Sequence, residues 1–562
     1  MLNLYREYLE EEFDANGVVA NYKFHVPESF NFAYDVVDRL AEAEPQRRAM
    51  LWCNEDGEKK TFSFADFKRE SDRCAAFFLS QGIHKGDKVM LILKRHYQFW
   101  FSILALHKIG AVAIPATNQL LAKDLLYRFN AADVSAIVCT ADGNVADHVE
   151  HAAQDYDRPL IKIIVRQARP GWLSFEEGLE QAPPFVRPAG DAAPSNRDMM
   201  LLYFTSGTTG MPKMVTHDFV YPIGHIPTAR YWHKVDPDGL HLTVSETGWA
   251  KSVWGKLYGQ WLMEAGIYVF DFDRFDPAVL LNHIQNDGIT TFCAPPTIYR
   301  FLIQEDLTKY DLSHIQHCTI AGEALNPEVY ERFRQATGLE LKEGYGQTEM
   351  TLAVVTNYWM ATKPGSMGRP SPVYHIDLLD DQSKPVKRGQ SGEICVRTGC
   401  DKIPGIFCGY HKDPALTAQV WHDGIYHTGD LAWQDEDGYL WFVGRADDII
   451  KSSGYRIGPF EVESVLMEHP AVLECAITGE PDPIRGQVVK ATVVLAAGWR
   501  ASDDLRHELQ NYVKTHTAPY KYPRVLDFVD ELPKTISGKI RRVAIRQAGS
   551  KDGRSGEDSG EV

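Results

Sequence analysis

Zinc-protease and dithiol signatures are missing: no H-E-x-x-H occurs, and none of the nine cysteines forms a C-x-x-C pair. Cys139, Cys293 and Cys395 lie in apolar runs, the pattern of reduced core thiols, which implies a cytoplasmic chain. No apolar stretch approaches the ~18 residues of a membrane helix. The greasiest, Phe99 to Leu106, is followed at once by His107 and Lys108, so stable membrane insertion is not expected. The opening MLNLYREYLEEEFD carries too many acids for a signal or transit peptide. Positive charge is short as well: a net charge of −17 argues against nucleic acid or anionic membrane as partner. No internal repeat is present, which excludes a solenoid.

What is present is a soluble enzyme's composition, 44% hydrophobic and 24% charged, over 562 residues, more than one core usually supports. Leu4, Tyr8, Leu9 and Phe13 fall at helical spacing and suggest an N-terminal packing arm. From Phe32 strands and helices alternate: Lys88 to Leu93 reads as a strand, Gln98 to Ile109 as a helix, and Ala136 to Cys139 as a strand. A second such run covers about 240 to 355. Alternation of this kind predicts parallel sheets with helices on their faces. Residues 365–443 change to short strands between Gly, Asp and Pro turns, a small β-barrel-like unit. A compact α+β pattern follows, and the polar end from 547 to 562 lacks apolar periodicity and is expected to be disordered. The expected architecture is α/β: a large N-terminal domain, 1–445, of two parallel-sheet subdomains plus the β unit, then a small mobile α+β domain, 446–546.

The most informative stretch is Tyr203 to Lys213, YFTSGTTGMPK. Its glycines allow successive N–H groups to face an anion, and its hydroxyls suit phosphate. A Walker loop is excluded, because Pro212 stands where the second glycine belongs and Met214 where a hydroxyl must hold magnesium. Further along come Gly322-Glu323-Ala324, then EGYGQTE from Glu343 to Glu349, HTGD from His427 to Asp430, GRADDIIKSSGYRIGPFEVE from Gly444 to Glu463, and PKTISGKI from Pro533 to Ile540.

In this order these motifs resemble those of the AMP-forming acyl-CoA synthetases, within the adenylate-forming enzymes. The resemblance implies ATP, Mg²⁺ and coenzyme A as reactants, and a carboxylic acid joined to the CoA thiol through acyl-AMP. It implies that Thr205, Ser206, Gly207, Thr208, Thr209, Gly210 and Lys213 hold phosphate. Gly322, Glu323 and Ala324 would lie along adenine and Tyr345 would stack on it, an aromatic face accepting a base. Thr348 would contact the α-phosphate, Glu349 would ligate the metal, Asp430 would accept the ribose hydroxyls, and Arg445 would contact ribose or phosphate. Lys539 would bridge the carboxylate and α-phosphate. Asp447 would be the hinge, after which Ser453, Gly454, Tyr455 and Arg456 line the CoA tunnel.

Ser245 to Trp261 resembles the medium-chain branch, which implies an acyl pocket of Trp249, Lys251, Trp254, Cys293 and Gly346. A small-to-medium acid, branched or aromatic included, is the expected substrate. Two readings stay beside this one: an enzyme loading a separate carrier protein, and an aryl or benzoate-type CoA ligase. The sequence leaves oligomeric state open, a homodimer included.

Overall fold

A hairpin, rather than the helical arm expected from Leu4, Tyr8, Leu9 and Phe13, begins the chain. One 3-10 turn, Leu4–Glu7, leads into the antiparallel strands Leu9–Phe13 and Val19–Phe24. Local turn chemistry overrides the 3.6-residue spacing: the Asp14 carboxylate accepts the N–H groups of Asn16 at 2.8 Å and Val18 at 2.9 Å, and Gly17 has φ 75°. Glu11 then fastens the hairpin to the body through Arg230, at 2.8 and 3.0 Å. The computed structural model describes residues 1–205, 211–399, 403–534 and 540–552, with side chains as far as Gln547.

Two sheets carry most of the large unit. In the first, Met199–Thr205, Val112–Pro115, Lys88–Ile92, Val134–Thr140, Ile161–Val165 and Leu173–Ser174 run parallel, and Lys213–Asp218 pairs antiparallel at one edge. The second has nine strands. Its parallel centre is Leu341–Gln347, His317–Ile320, Thr291–Ala294, Leu240–Thr243, Gly266–Asp271 and Arg48–Asn54, with antiparallel pairs at both edges. The two α/β runs are therefore not strictly sequential, since the early strand Arg48–Asn54 crosses into the later sheet beside Gly266–Asp271. Both of its faces are covered, and Trp52 and Met50 are buried there.

The greasiest stretch of sequence is helix Gln98–Ile109, buried along its whole length. A helix apolar all round belongs in a core, and each large side chain so buried contributes about 1.5–3 kcal/mol. Its Lys108 ammonium is tolerated because Asp38, at 2.8 Å, and Asp72, at 2.5 Å, accept from it. Among the described residues no helix is long and apolar enough to cross a membrane.

The strands between 375 and 445 form a five-stranded antiparallel sheet. After Arg445 come a second five-stranded sheet and three helices, Pro459–Met467, Asp503–His516 and Arg542–Asp552. The last helix carries helical backbone as far as Asp552, into the start of the stretch expected to be disordered, and residues 553–562 lie outside the described residues. Ahead of that stretch, Arg542 and Arg546 find acidic partners on neighbouring elements.

Neutral histidines occupy the cores. Burial pushes His107 and His241 down to about 3 and His317 down to about 4. Each is neutral in the fold yet protonates from about pH 6.5 when unfolded, so its stabilisation is complete above that pH and is lost as pH falls toward the folded value. Glu343 opposes them: burial raises its carboxyl to about 8, so its contribution is present below pH 4.5 and is lost as pH rises through 8. His225 and His233 are held down by burial in the same way, so unfolding takes up protons on these histidines near pH 5 and their share of the stability falls as pH drops. We expect the melting temperature of the large unit to drop from pH 6.5 to pH 5, and His241→Gln to soften that dependence. A flat thermal profile over this interval contradicts the assignment.

Candidate active site

Four neighbouring strands of the second sheet deliver side chains to one edge. In sheet order they are Leu341–Gln347, His317–Ile320, Thr291–Ala294 and Leu240–Thr243, all parallel, so their carboxyl ends lie together. That edge of a parallel sheet is where ligands bind. The first strand leads to Thr348 and Glu349, the second to Gly322, Glu323 and Ala324, the third carries Cys293, and the fourth precedes Trp249. From the first sheet comes the hairpin whose register sets Thr205 opposite Lys213. Ser206, Gly207, Thr208, Thr209 and Gly210, expected to cradle phosphate between them, lie outside the described residues, as does Lys539.

Asp430 is the meeting point of the nucleotide motifs. Its Oδ2 accepts from the Tyr345 hydroxyl at 2.7 Å and from Gln347 Nε2 at 2.6 Å, while Arg445 Nε faces Oδ1 at 3.8 Å. Burial first, then the adjacent Asp430 charge, holds the Tyr345 phenol protonated far above its ordinary range. Gln347 was not among the residues singled out in the sequence. It also donates to the Thr428 carbonyl at 3.0 Å and accepts from the Tyr426 hydroxyl at 2.7 Å, fastening the EGYGQTE strand to HTGD. A signal for it existed: two residues beyond Tyr345 on one strand, it shares that face.

Thr348 and Glu349 are the two turn residues between paired Gln347 and Met350. His217 Nε2 donates to the Thr348 carbonyl at 2.8 Å. The Glu349 carboxylate accepts the Tyr410 hydroxyl at 2.9 Å, and the Lys213 ammonium lies 5.2 Å from the centre of the same tyrosine ring. Burial raises the Glu349 carboxyl above the usual range, against the Tyr410 hydrogen bond and the Lys213 charge. Tyr410 lies on an irregular loop 61 residues away, where no periodicity marks it. A further group with metal-ligand chemistry, Glu393, Cys395 and His427, gathers within 4.8 Å. Its atoms are engaged with one another: Glu393 holds His427 Nδ1 and the Gly429 N–H, both at 2.9 Å.

Among the acyl-pocket residues, Trp254 is buried, and its Nε1 donates to the Tyr221 hydroxyl at 3.1 Å. Its ring fills the room that Gly346 leaves: a Cβ on residue 346 would stand 2.7 Å from Trp254 Cη2. Cys293 is buried on its strand, and Trp249 caps helix Ala250–Lys256. Lys251 donates to the Ala321 carbonyl at 2.6 Å, so it also supports the adenine loop. On that loop Glu323 faces Arg300 at 3.9 Å.

The expected CoA face stands apart. Ser453 and Gly454, with φ 50° and 84°, turn the hairpin Ile450–Ser452/Tyr455–Ile457. Tyr455 stacks on Tyr520 at 4.0 Å, and Arg456 pairs with Asp381 at 2.6 Å. Among the described residues no hydrogen bond or ion pair joins this hairpin turn to the nucleotide motifs. Asp447 faces Arg445 Nε at 3.4 Å.

Comparison with known proteins adds to this geometry. Residues 37–411 match the AMP-binding enzyme family and residues 461–539 its C-terminal domain. The chain is 40% identical over 537 residues to the mitochondrial acyl-coenzyme A synthetase ACSM3 of Rattus norvegicus, covering 94% of this chain and 92% of the relative. It is 42% identical over 531 residues to the human mitochondrial ACSM5 synthetase, covering 93% and 91%. Among solved structures it resembles the anthranilate CoA ligase AuaEII in complex with anthranoyl-AMP, with TM-score 0.85, 26% identity and coverage of 94% and 99%. It also resembles a benzoate CoA ligase from Burkholderia xenovorans LB400, with TM-score 0.80, 25% identity and coverage of 92% and 100%. The mitochondrial relatives overturn the cytoplasmic placement. Seven of the described cysteines are buried free thiols, but thiols in a core do not distinguish one reducing compartment from another.

Gln347→Ala removes one of the two donors on Asp430 Oδ2 and the tie to Thr428. A hydrogen bond to a charged group is worth about 1.5–3 kcal/mol, so the KM for ATP should rise roughly 10- to 100-fold, with some loss of melting temperature because the Tyr426 hydroxyl and Thr428 carbonyl lose their partner. An unaltered KM would show that the Asp430 network does not shape the nucleotide site.

Proposed function

The chain belongs to the AMP-binding enzymes, as an AMP-forming acyl-CoA synthetase of the medium-chain branch, and from this we infer how its own residues divide the work. It joins a carboxylic acid to coenzyme A at the expense of ATP. The observation that carries the site reading is the convergence of Tyr345, Gln347 and Arg445 on Asp430, beside the turn that bears Thr348 and Glu349.

In the first half-reaction a carboxylate oxygen attacks the α-phosphorus of ATP, the bond to the bridging oxygen breaks, and pyrophosphate leaves with that electron pair. Thr205 and Lys213, at the base of the phosphate loop, would receive it. Glu349 fits a metal ligand, since its hard carboxylate oxygen is tied by the Tyr410 hydroxyl near Lys213. Mg²⁺ held there would supply charge neutralisation on the phosphates. Lys539 would balance charge growing on the reacting oxygens: two unit charges ~4 Å apart interact by about 4 kcal/mol at an effective dielectric near 20. In the second half-reaction the CoA sulfur attacks the acyl carbon, the thiol proton passes to solvent, and AMP departs. Arg456 is paired with Asp381 in this structure, so bringing residues 453–456 to the site requires the small domain to turn about Asp447.

For the acid, the geometry favours a short to medium, branched or aromatic group. Trp254, fixed by Tyr221 and packed over Gly346, is a rigid wall rather than a flexible lining. Fixed aromatic walls set chain length because a buried ring cannot yield without losing its packing.

ATP–pyrophosphate exchange across C2 to C16, branched and aryl acids, followed by CoA addition, tests the reading; no exchange with any acid defeats it. Lys539→Ala should lose acyl-adenylate formation by about 10²- to 10³-fold yet still convert supplied acyl-AMP to thioester. Equal loss of both steps contradicts the division of labour. Trp254→Gly should move the preferred acid to longer chains, with kcat/KM gaining about four-fold per added methylene from ~0.8 kcal/mol of burial each. An unmoved chain-length profile places the wall elsewhere.

A further inference from the structure

The segment that bears Lys539 is anchored on both flanks. Lys534 and Ile540 form an antiparallel bridge, and the Arg541 N–H donates to the Pro533 carbonyl at 2.8 Å; residues 535–539 between them lie outside the described residues. Its apolar support is thin: Leu532 and Ile545 pack with Ala476 and Val494, and Ile540 touches that cluster from its edge. Beyond it, helix Arg542–Asp552 carries two arginines at i and i+4, which share one helical face.

Those arginines grip acids near the pivot. Arg542 Nη2 donates to both oxygens of Glu463 at 2.7 Å, and Arg546 Nη1 donates to Asp448 Oδ1 at 2.7 Å. Arg542 Nη1 also stands 3.8 Å from Asp448 Oδ2, closing a four-residue network. Glu463 is buried, and its Oε1 additionally accepts the Ile477 N–H at 2.8 Å, so the carboxylate is tied to the sheet beneath. Asp448, only 14% exposed in its side chain, directly follows the hinge residue Asp447. One guanidinium nitrogen shared between both oxygens of a buried carboxylate makes short, charge-assisted hydrogen bonds.

We infer that Arg542, Arg546, Glu463 and Asp448 form a clamp that couples the pivot to the lysine segment, making Arg542 and Arg546 positioning residues for adenylation. The inference rests on the role given above to Lys539. Because helix Arg542–Asp552 is tied to the residue after the hinge, rotation at the hinge is delivered to Lys539 without slack. The hairpin bearing Ser453 and Gly454 is held by other contacts, a bridge from Ser452 to Gly486 and the Ser453 N–H on the Arg485 carbonyl at 3.0 Å, so thioester formation does not depend on the clamp.

The experiment measures both half-reactions on the full-length protein: acyl-AMP formation by pyrophosphate release, and thioester formation from supplied acyl-AMP. Arg546→Ala and, separately, Asp448→Asn should lower kcat for adenylation about 10- to 100-fold, the scale of a reacting group displaced by about 1 Å, with the KM for ATP little changed. Thioester formation should stay within about three-fold, and Arg546→Lys should recover a substantial part of the loss by restoring one charged bond to Asp448. Thermal melting run alongside identifies any variant that has lost its fold, and the milder, half-exposed Arg546 site keeps the test open if Asp448→Asn fails. Equal losses in both half-reactions, or no loss in either, overturn the clamp. Lys539→Ala measured in parallel separates the two claims: selective loss of adenylation there with none at Arg546 refutes the clamp alone, whereas no loss at Lys539 refutes the role on which it rests.

Discussion

One carboxylate ties the nucleotide site together. Asp430 belongs to the antiparallel unit, while Tyr345 and Gln347, which donate to it at 2.7 and 2.6 Å, belong to the nine-stranded sheet. Two separately built sheets are thereby held in register by charge-assisted hydrogen bonds, which are shorter, stronger and more directional than apolar contact. The same arrangement positions the turn of Thr348 and Glu349, because that turn immediately follows Gln347 on the strand. Around this point the parallel strands contribute their carboxyl ends, and the phosphate hairpin of the first sheet stands alongside.

The acyl side is built on a different principle. There the proposed wall is a ring, Trp254, which occupies the room left by the missing side chain of Gly346. In the sequence Gly346 and Trp254 stand as two separate pocket residues. In the fold they are one, since the ring occupies the room that the glycine leaves. Close-packed interiors make such pairs interdependent.

The small domain is attached lightly and built rigidly. Its ties to the large unit include the exposed Arg456–Asp381 pair and a hydrogen bond from Asn326 to the Ser464 carbonyl at 3.3 Å. Exposed ion pairs contribute only about 0–1 kcal/mol, so turning the domain costs little there. Inside it, by contrast, Arg542 donates through one nitrogen to both oxygens of the buried Glu463, and breaking a buried ion pair costs several kcal/mol.

Much of this was legible beforehand. Helix Gln98–Ile109 and the strands Lys88–Ile92 and Val134–Thr140 agree with their sequence patterns because periodicity and flanking turns coincide there. The N-terminal arm did not, because Asp14 and Gly17 impose a turn on apolar residues whose spacing happens to suit a helix. By itself the sequence determined the reaction class, since hydroxyls, glycines and acids in fixed order are local properties of the chain. Only the tertiary structure decided that Gln347 serves Asp430, that Tyr410 serves Glu349, and that Arg546 reaches back to Asp448, 98 residues earlier. Those pairings depend on strand register and helix placement, which bring distant segments within the ~3 Å reach of a hydrogen bond and leave no trace in local spacing.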